Sequence, residues 1–321
     1  MSFYITTPIY YTNDVPHIGH AYTTISCDIS ARYNNIYKGD VFFLSGTDEH
    51  GQKVEKAAKE ANIDPKKFVD KLSINFEKLI PNLGCEINDF IRTTEERHIK
   101  AAQALWNKLF DNNQIYLSNY EGWYSVRDEA FYQESELQNI NGKFITQNGS
   151  PVEWVKEESY FFKLSEWQDR LIDYYEKDNR PIYPESRHNE VLSFVKGGLK
   201  DLSISRTTFK WGIPVPNNKD HVMYVWIDAL CNYLSAIGYP DINNPKFQKY
   251  WPAFHIVGKD ILRFHAVYWP AFLMAANLEP PKRIFAHGWW TNEGQKISKS
   301  LGNAIDPYQI IDEYGLDQIR Y

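Results

Sequence analysis

Pro16-His17-Ile18-Gly19-His20, near the start of the chain, sets two imidazoles three residues apart where a helix can begin. Free backbone N–H groups and the positive dipole end at such a position favour phosphate. Gly19 leaves bare backbone between them, against which a flat adenine can lie. Near the other end, Lys296-Ile297-Ser298-Lys299-Ser300, flanked by Gly294 and Gly302, puts two ammonium groups on a loop able to close over pyrophosphate. Mobile lysines of this kind neutralise charge on β- and γ-phosphates as it builds during a displacement. Taken alone, a histidine pair at a helix start is ordinarily a surface feature and a lysine pair a solvated loop. Both strings in one chain, in this order, imply chemistry on a nucleoside triphosphate. Lys282, Arg283, Lys296 and Lys299 against the lone Glu293 also make 282–300 a basic strip suited to a nucleic-acid end.

The first string needs a strand, a loop and a helix to aim it. Phe3-Tyr4-Ile5-Thr6-Thr7 is β-prone and Pro8 ends it, while Pro16 opens a helix expected from Ile18 to Tyr37, stopping near Gly39. Ile18, Ala21, Tyr22, Ile25, Ile29 and Tyr33 form its apolar stripe. Val41–Ser45 then reads as a buried parallel strand, closing a βαβ unit. Helical patterns follow at roughly 51–61, 65–81 and 95–112. Residues 115–160 change character, with short polar strands and turns at Asn141-Gly142 and Asn148-Gly149. Helical signals at about 166–178 and 188–196 lead back to strands at 221–227, 253–257 and Arg283–Ala286. The alternation predicts an α/β fold, a doubly wound parallel sheet of Rossmann type with a small inserted connective module. The division expected is 1–114 and 221–287 for the two halves of the catalytic domain, 115–220 for the insertion and return helices, and 288–321 for the lysine loop and the start of a linking segment.

Composition bounds the alternatives. The 321 residues, 43% hydrophobic and 16% aromatic, suffice for a substantial core. A net charge of -6 does not advertise nucleic acid, although a local basic track is enough for it. Cys27, Cys85 and Cys231 are too far apart for a Cys-x-x-Cys motif and read as buried small hydrophobes in a reducing, cytoplasmic setting. The stretch Ala266–Leu278 is broken by Pro270 and too short to span a bilayer, so no membrane role is expected.

Phe3–His20, Gly46-Thr47-Asp48-Glu49-His50-Gly51, Tyr224-Val225-Trp226-Ile227-Asp228-Ala229, Gly258-Lys259-Asp260-Ile261 with His265 and Trp269, and Lys296–Ser300 together resemble, in order, the methionyl-tRNA synthetases of the class I aminoacyl-tRNA synthetases. The resemblance covers essentially the whole chain. It implies a ligase that joins L-methionine to tRNA(Met), initiator and elongator, through methionyl-adenylate, using ATP with Mg2+. His17, His20, Lys296 and Lys299 would be catalytic. Gly19, Gly258, Asp260 and Ser298 would join them around ATP, with Asp260 on the ribose. Pro8, Ile9, Tyr11, Asp48, Trp226, Ala229, Leu230, Tyr233, Ile261, His265 and Trp269 would bind methionine, Asp48 taking the ammonium and the aromatic walls the polarisable thioether. Arg206 and Lys259 match positions near the site.

The sequence departs from the family pattern in the insertion. Where many members bind zinc through Cys-x-x-Cys pairs, the corresponding stretch Tyr124–Phe131 has no thiol, so no structural zinc is expected. Packing of Tyr120, Trp123, Tyr124, Phe131 and Tyr132 is expected to hold the module instead. About 100 residues between the sheet halves are too few for the large editing domain of the isoleucine, valine and leucine enzymes. An anticodon-binding domain is expected to be absent from this chain. Two alternatives remain open: a small-molecule nucleotidyltransferase, which shares a His-x-Gly-His motif, or another class I synthetase.

Overall fold

The computed structural model describes the chain apart from residues 1, 129, 141, 148, 177–180, 290, 293–294 and 297–304. Its centre is a seven-stranded sheet. β1 (Phe3–Thr6) lies in the middle, with β3 (Val41–Asp48) parallel on one side and the strand Phe254–Gly258 parallel on the other. β2 (Tyr10–Tyr11) continues along β3, pairing Tyr10 with Thr47 and Tyr11 with Asp48, and β4 (Asp89–Arg92) pairs with β3 as well. Beyond Phe254–Gly258 lie Arg283–His287 and then the short strand Ile182–Tyr183, again parallel. Strand order therefore reverses at β1. In open α/β sheets the crevice at that reversal, outside the carboxyl ends of the strands, is where ligands bind.

The elements follow from local chemistry. β3 is buried from its second residue onward, as expected for a strand covered on both faces. The helix α1 (Ile18–Lys38) ends at Gly39, whose left-handed φ of 69° lets its N–H reach Asn35 O. Its buried face differs from the expected stripe. Ile29 is 50% and Tyr33 60% exposed, while Thr24, Cys27, Asp28 and Ala31 turn inward. Polar residues can take core positions here because partners are waiting: Thr24 Oγ1 meets Tyr10 Oη at 2.7 Å, and Asp28 Oδ2 accepts from Arg32 and Arg320. The helices α2 (Gln52–Glu60), α3 (Pro65–Asn82) and α4 (Glu96–Asp111) form close to their expected bounds.

Residues 221–227 do not supply a strand of the central sheet. Asn218–Met223 pairs antiparallel with Ser205–Arg206 and Pro214–Val215, and Val225–Leu230 is a helix. The apolar run 222–227 carries no period that separates a buried strand from a buried helix. The insertion is a long ribbon rather than a set of short strands. Ile115–Ser125 pairs antiparallel with Glu153–Phe162, from Ile115 opposite Phe162 to Tyr124 opposite Glu153. A hairpin, Leu137–Ile140 with Lys143–Thr146, lies between them in sequence. Asp128 ties this end together, accepting from Tyr132 Oη (3.1 Å), Thr146 Oγ1 (3.3 Å) and Ser150 Oγ (2.8 Å). Of the expected module core, Tyr124 is buried against Phe131, and Trp123 packs between Phe144 and Trp154; the Tyr120 side chain lies outside the described residues. All three cysteines are buried and free. Among the described residues no helix is long and apolar enough to cross a membrane.

Candidate active site

The two histidines of the first motif build the start of α1. His17 is the N-cap, its Nδ1 accepting the Gly19 N–H at 3.1 Å, and His20 Nδ1 accepts the His17 N–H at 3.0 Å. The imidazoles thus perform the reciprocal capping usually done by Ser and Glu. Because both Nδ1 atoms accept backbone N–H groups, this geometry assigns a ring proton to Nε2 in each. The rings lie 3.9 Å apart, and His20 is held edge-on by Tyr10 and Phe76. A Cβ on Gly19 would come within 2.9 Å of His17 Cε1, so a side chain there would displace the cap. Space for the imidazole is thus one reason for glycine at this position.

On the other side of the sheet reversal, Gly258 ends its strand and Asp260 stands exposed in the following short 3-10 turn. A Cβ on Gly258 would lie 2.6 Å from Asp260 Oδ1, so the bare backbone keeps that carboxylate's place open. Lys259 Nζ sits 3.8 Å over the Trp289 ring. His287 Nε2 meets Thr23 Oγ1 of α1 at 2.8 Å, fastening the strand Arg283–His287 to the helix that carries the histidines. Lys296 lies opposite Thr291 in a two-stranded pairing, and Ser298 and Lys299 lie outside the described residues. The chain after them is anchored back at the motif, where the Ile18 N–H donates to Ile305 O at 3.0 Å.

The residues expected to bind the amino acid are tied in place by hydrogen bonds. Asp48 is buried at the carboxyl end of β3, its carbonyl accepting from both the N–H and the O–H of Thr12. Pro8 and Ile9 lead into β2 half-buried, and Tyr11 Oη donates to His50 O at 2.8 Å. Trp226 stacks flat on Phe264 with ring centres 3.6 Å apart and has the edge of His265 beside it. Phe264–Tyr268 forms a π-helical turn, a local widening common at functional sites. Burial pushes the His265 imidazole down to about 4, so it is neutral. Its Nδ1–H then donates to Ile261 O at 3.0 Å, and its Nε2 accepts the Tyr233 O–H at 2.7 Å. Trp269 is fully buried 6.1 Å from Tyr233, and Ala229 is buried on the same helix as Trp226. Leu230 is fully buried in the main core.

Sequence patterns do not reveal two residues here, Asp228 and Phe264. Asp228 is fully buried with its Oδ2 2.8 Å from His50 Nδ1 and its Oδ1 2.7 Å from His98 Nε2. Burial pushes its carboxyl up, but the two imidazoles outweigh burial and hold it at about 2. A lone carboxylate inside the apolar run 225–230 was the available signal, since buried charges are paired. Phe264, the partner of Trp226, left none. Arg206 packs on Tyr224, two residues before Trp226. It is buried among the rings of Tyr124, Phe131 and Tyr224 and donates to Ser203 Oγ and Ser205 O, joining the inserted ribbon to the segment before Trp226. Among the described residues no cluster of three or more His, Cys, Asp or Glu could hold a metal ion.

A mainly parallel sheet whose order reverses at β1, followed by a histidine-capped helix, agrees with what comparison finds. A family profile described as tRNA synthetases class I (M) matches residues 3–321, and the chain belongs to that family. The methionine–tRNA ligase of Rickettsia conorii is 63% identical over 321 residues, all of this chain and 62% of that protein. That of Mesorhizobium japonicum is 55% identical over 320 residues, 99% of this chain and 62% of the relative. The chain thus spans less than two thirds of these curated relatives. Among solved structures, Mycobacterium tuberculosis methionyl-tRNA synthetase in complex with methionyl-adenylate matches with a TM-score of 0.97 at 51% identity, over 100% of this chain and 63% of that one. Its apo form matches with a TM-score of 0.84 at 47% identity, over 100% of this chain and 60% of that one.

Proposed function

We propose that this chain activates L-methionine with ATP and, as part of a methionine–tRNA ligase, passes it to the 3' end of tRNA(Met), initiator and elongator alike. The observation that carries this reading is the strand reversal at β1, which puts Asp48 at the end of β3 on one side and Gly258 and Asp260 at the end of Phe254–Gly258 on the other; we read Asp48 with Trp226, Tyr233 and His265 as one half-site and the His17–His20 helix start with Gly258 and Asp260 as the other. The ligands named for relatives that match the whole chain, methionine and its adenylate, have the chemistry of those half-sites.

In the proposed reaction Asp48 holds the methionine ammonium, and the thioether lies among Ile9, Tyr11, Trp226, Ala229, Tyr233, Ile261, His265 and Trp269, with Pro8 and Leu230 behind them. Asp260 accepts from the ribose hydroxyls of ATP. A methionine carboxylate oxygen attacks the α-phosphorus in line, the bond to pyrophosphate breaks, and methionyl-adenylate forms. The Nε2–H donors of His17 and His20 and the ammonium groups of Lys296 and Lys299, with Ser298, take up charge that grows in the transition state; position and charge do the catalysis, with no covalent nucleophile on the protein. Magnesium enters as part of the MgATP substrate. In the second step a terminal ribose hydroxyl of tRNA attacks the activated carbonyl and AMP leaves. Residues 1–114 and 221–287 serve as the two halves of the catalytic domain, 115–220 as the connective insertion with its return helices, and 288–321 as the lysine loop and linking segment. Three buried thiols support a cytoplasmic setting.

The test is direct: incubation with ATP and methionine, followed by mass analysis of the bound species, yields methionyl-adenylate. Adenylate formed only on a different acceptor, such as a phosphopantetheine-like alcohol, overturns the reading in favour of a nucleotidyltransferase.

A further inference from the structure

We propose that Asp228, gripped by His50 and His98, is a positioning residue that sets the distance between the ammonium-binding carboxylate Asp48 and the pocket for the methionine side chain. The inference rests on the function proposed above. Methionine must reach both features at once, yet they sit on different pieces of chain: Asp48 at the end of β3, Trp226 and Ala229 on the helix Val225–Leu230. His50, two residues past Asp48, is where those pieces join. Its ring bonds Asp228 Oδ2 at 2.8 Å, and its carbonyl accepts Tyr11 Oη, itself a pocket residue. Neighbouring bonds fix the same loop from a third direction, with Trp211 Nε1 on Glu49 O at 2.6 Å and Gly51 N–H on Trp211 O at 3.0 Å. On the far side His98 of α4 holds Asp228 Oδ1, and its Nδ1 lies 3.1 Å from Ser235 Oγ.

Neither catalysis nor metal binding explains this cluster. Asp228 and His98 are fully buried, out of reach of a substrate. Both imidazole nitrogens sit at direct hydrogen-bond distance from the carboxylate, too close to leave room for an ion between them. A buried ionic group is also weak as a source of stability, since well-packed apolar residues do as well. What directional bonds supply and apolar packing does not is a fixed register, and the register here spans the two ends of the amino acid. Among the described residues, His50, Asp228 and His98 bond to one another and to Tyr11 and Ser235, not to Gly258 or Asp260.

Steady-state methionine-dependent pyrophosphate exchange tests this with paired variants of the protein. His50→Leu and His98→Leu remove the N–H donor; His50→Asn and His98→Gln return an N–H to the place of the bonded ring nitrogen. The leucine variants are expected to raise KM for methionine about tenfold or more with KM for ATP within about twofold, and the amide variants to recover most of the loss. A parallel rise of both KM values, an unchanged KM for methionine, or no recovery in the amide variants overturns the proposal. If a leucine variant does not fold, equilibrium dialysis of methionine with the amide variants and wild type decides: affinities within about threefold support the positioning role, and a loss as large as expected for leucine contradicts it. Wild-type protein without any methionine-dependent exchange defeats the functional reading itself, whereas active wild type with unresponsive variants defeats only the role of Asp228.

Discussion

Around Asp48 the interior is filled with directed polar bonds. Glu49 is fully buried and accepts from Thr47, Thr94 and Arg92; His50 and His98 close on Asp228; His265 is strung between Ile261 and Tyr233. The inserted ribbon 115–162 holds together by other means. It relies on its long antiparallel pairing, on the ring contacts of Trp123, Phe144 and Trp154, and at its far end on the carboxylate of Asp128, with Glu157 meeting Arg206 where the ribbon joins the rest of the chain. Apolar contacts tolerate shifts of a few tenths of an ångström, whereas a fully satisfied buried polar network has one geometry. On the proposed function, the difference separates a region that holds a small ligand in register from one that has only to stay folded.

The contrast breaks most readily at Asp48. Asp48→Ala is predicted to lower kcat/KM for methionine in pyrophosphate exchange by about 10³-fold, from loss of a desolvated charge partner, while Trp123→Ala in the ribbon leaves it within about threefold. A large effect at Trp123 would erase the distinction. Arg206, where the regions meet, sharpens it: Arg206→Ala is predicted to lose about 3–4 kcal/mol in urea unfolding, since it leaves buried Glu157 without its cation.

Acid should act on the pocket before the ribbon. His265 has its folded pKa lowered by burial to about 4 from an ordinary 6.5, and burial lowers His255 well below its ordinary value too. The unfolded chain therefore binds these protons first, so stability is full above about pH 6.5 and falls as pH drops toward 4, by about 3 kcal/mol for His265. His265→Gln should flatten that part of the unfolding profile between pH 7 and 4. The ribbon has no histidine between 115 and 162, and its hydrogen-exchange protection should change little over the same range. The smallest effect is expected at Asp128→Ala, about 1 kcal/mol by thermal or urea unfolding, with methionine-dependent exchange unchanged.

Sequence patterns reached the parts of this molecule governed by local rules. The opening βαβ unit was legible because Pro8, Pro16 and Gly39 punctuate it and β3 is almost wholly apolar. What escaped depended on distant partners. Ile29 and Tyr33 fit a helical stripe but face solvent, because Thr24 and Asp28 find Tyr10 and Arg320 from elsewhere in the chain. The run 222–227 lacked a period and was assigned to the wrong element. In the candidate site, His17, His20, Tyr233, His265 and Trp226 are named by motif and resemblance; the structure pairs His17 with His20 and sets His265 against Tyr233 and Trp226. The partners that hold them, Phe264 for Trp226 and Asp228 for His50, become visible only when the chain is folded.

Pyrophosphate exchange measured across the standard amino acids tests the central claim most directly, that this crevice is built for methionine. With wild-type protein at saturating ATP, methionine should drive exchange with kcat/KM at least about 100-fold above leucine, isoleucine or valine, the scale at which a shaped pocket separates aliphatic neighbours. Exchange equally well driven by one of those three, or none driven by methionine, would contradict the account.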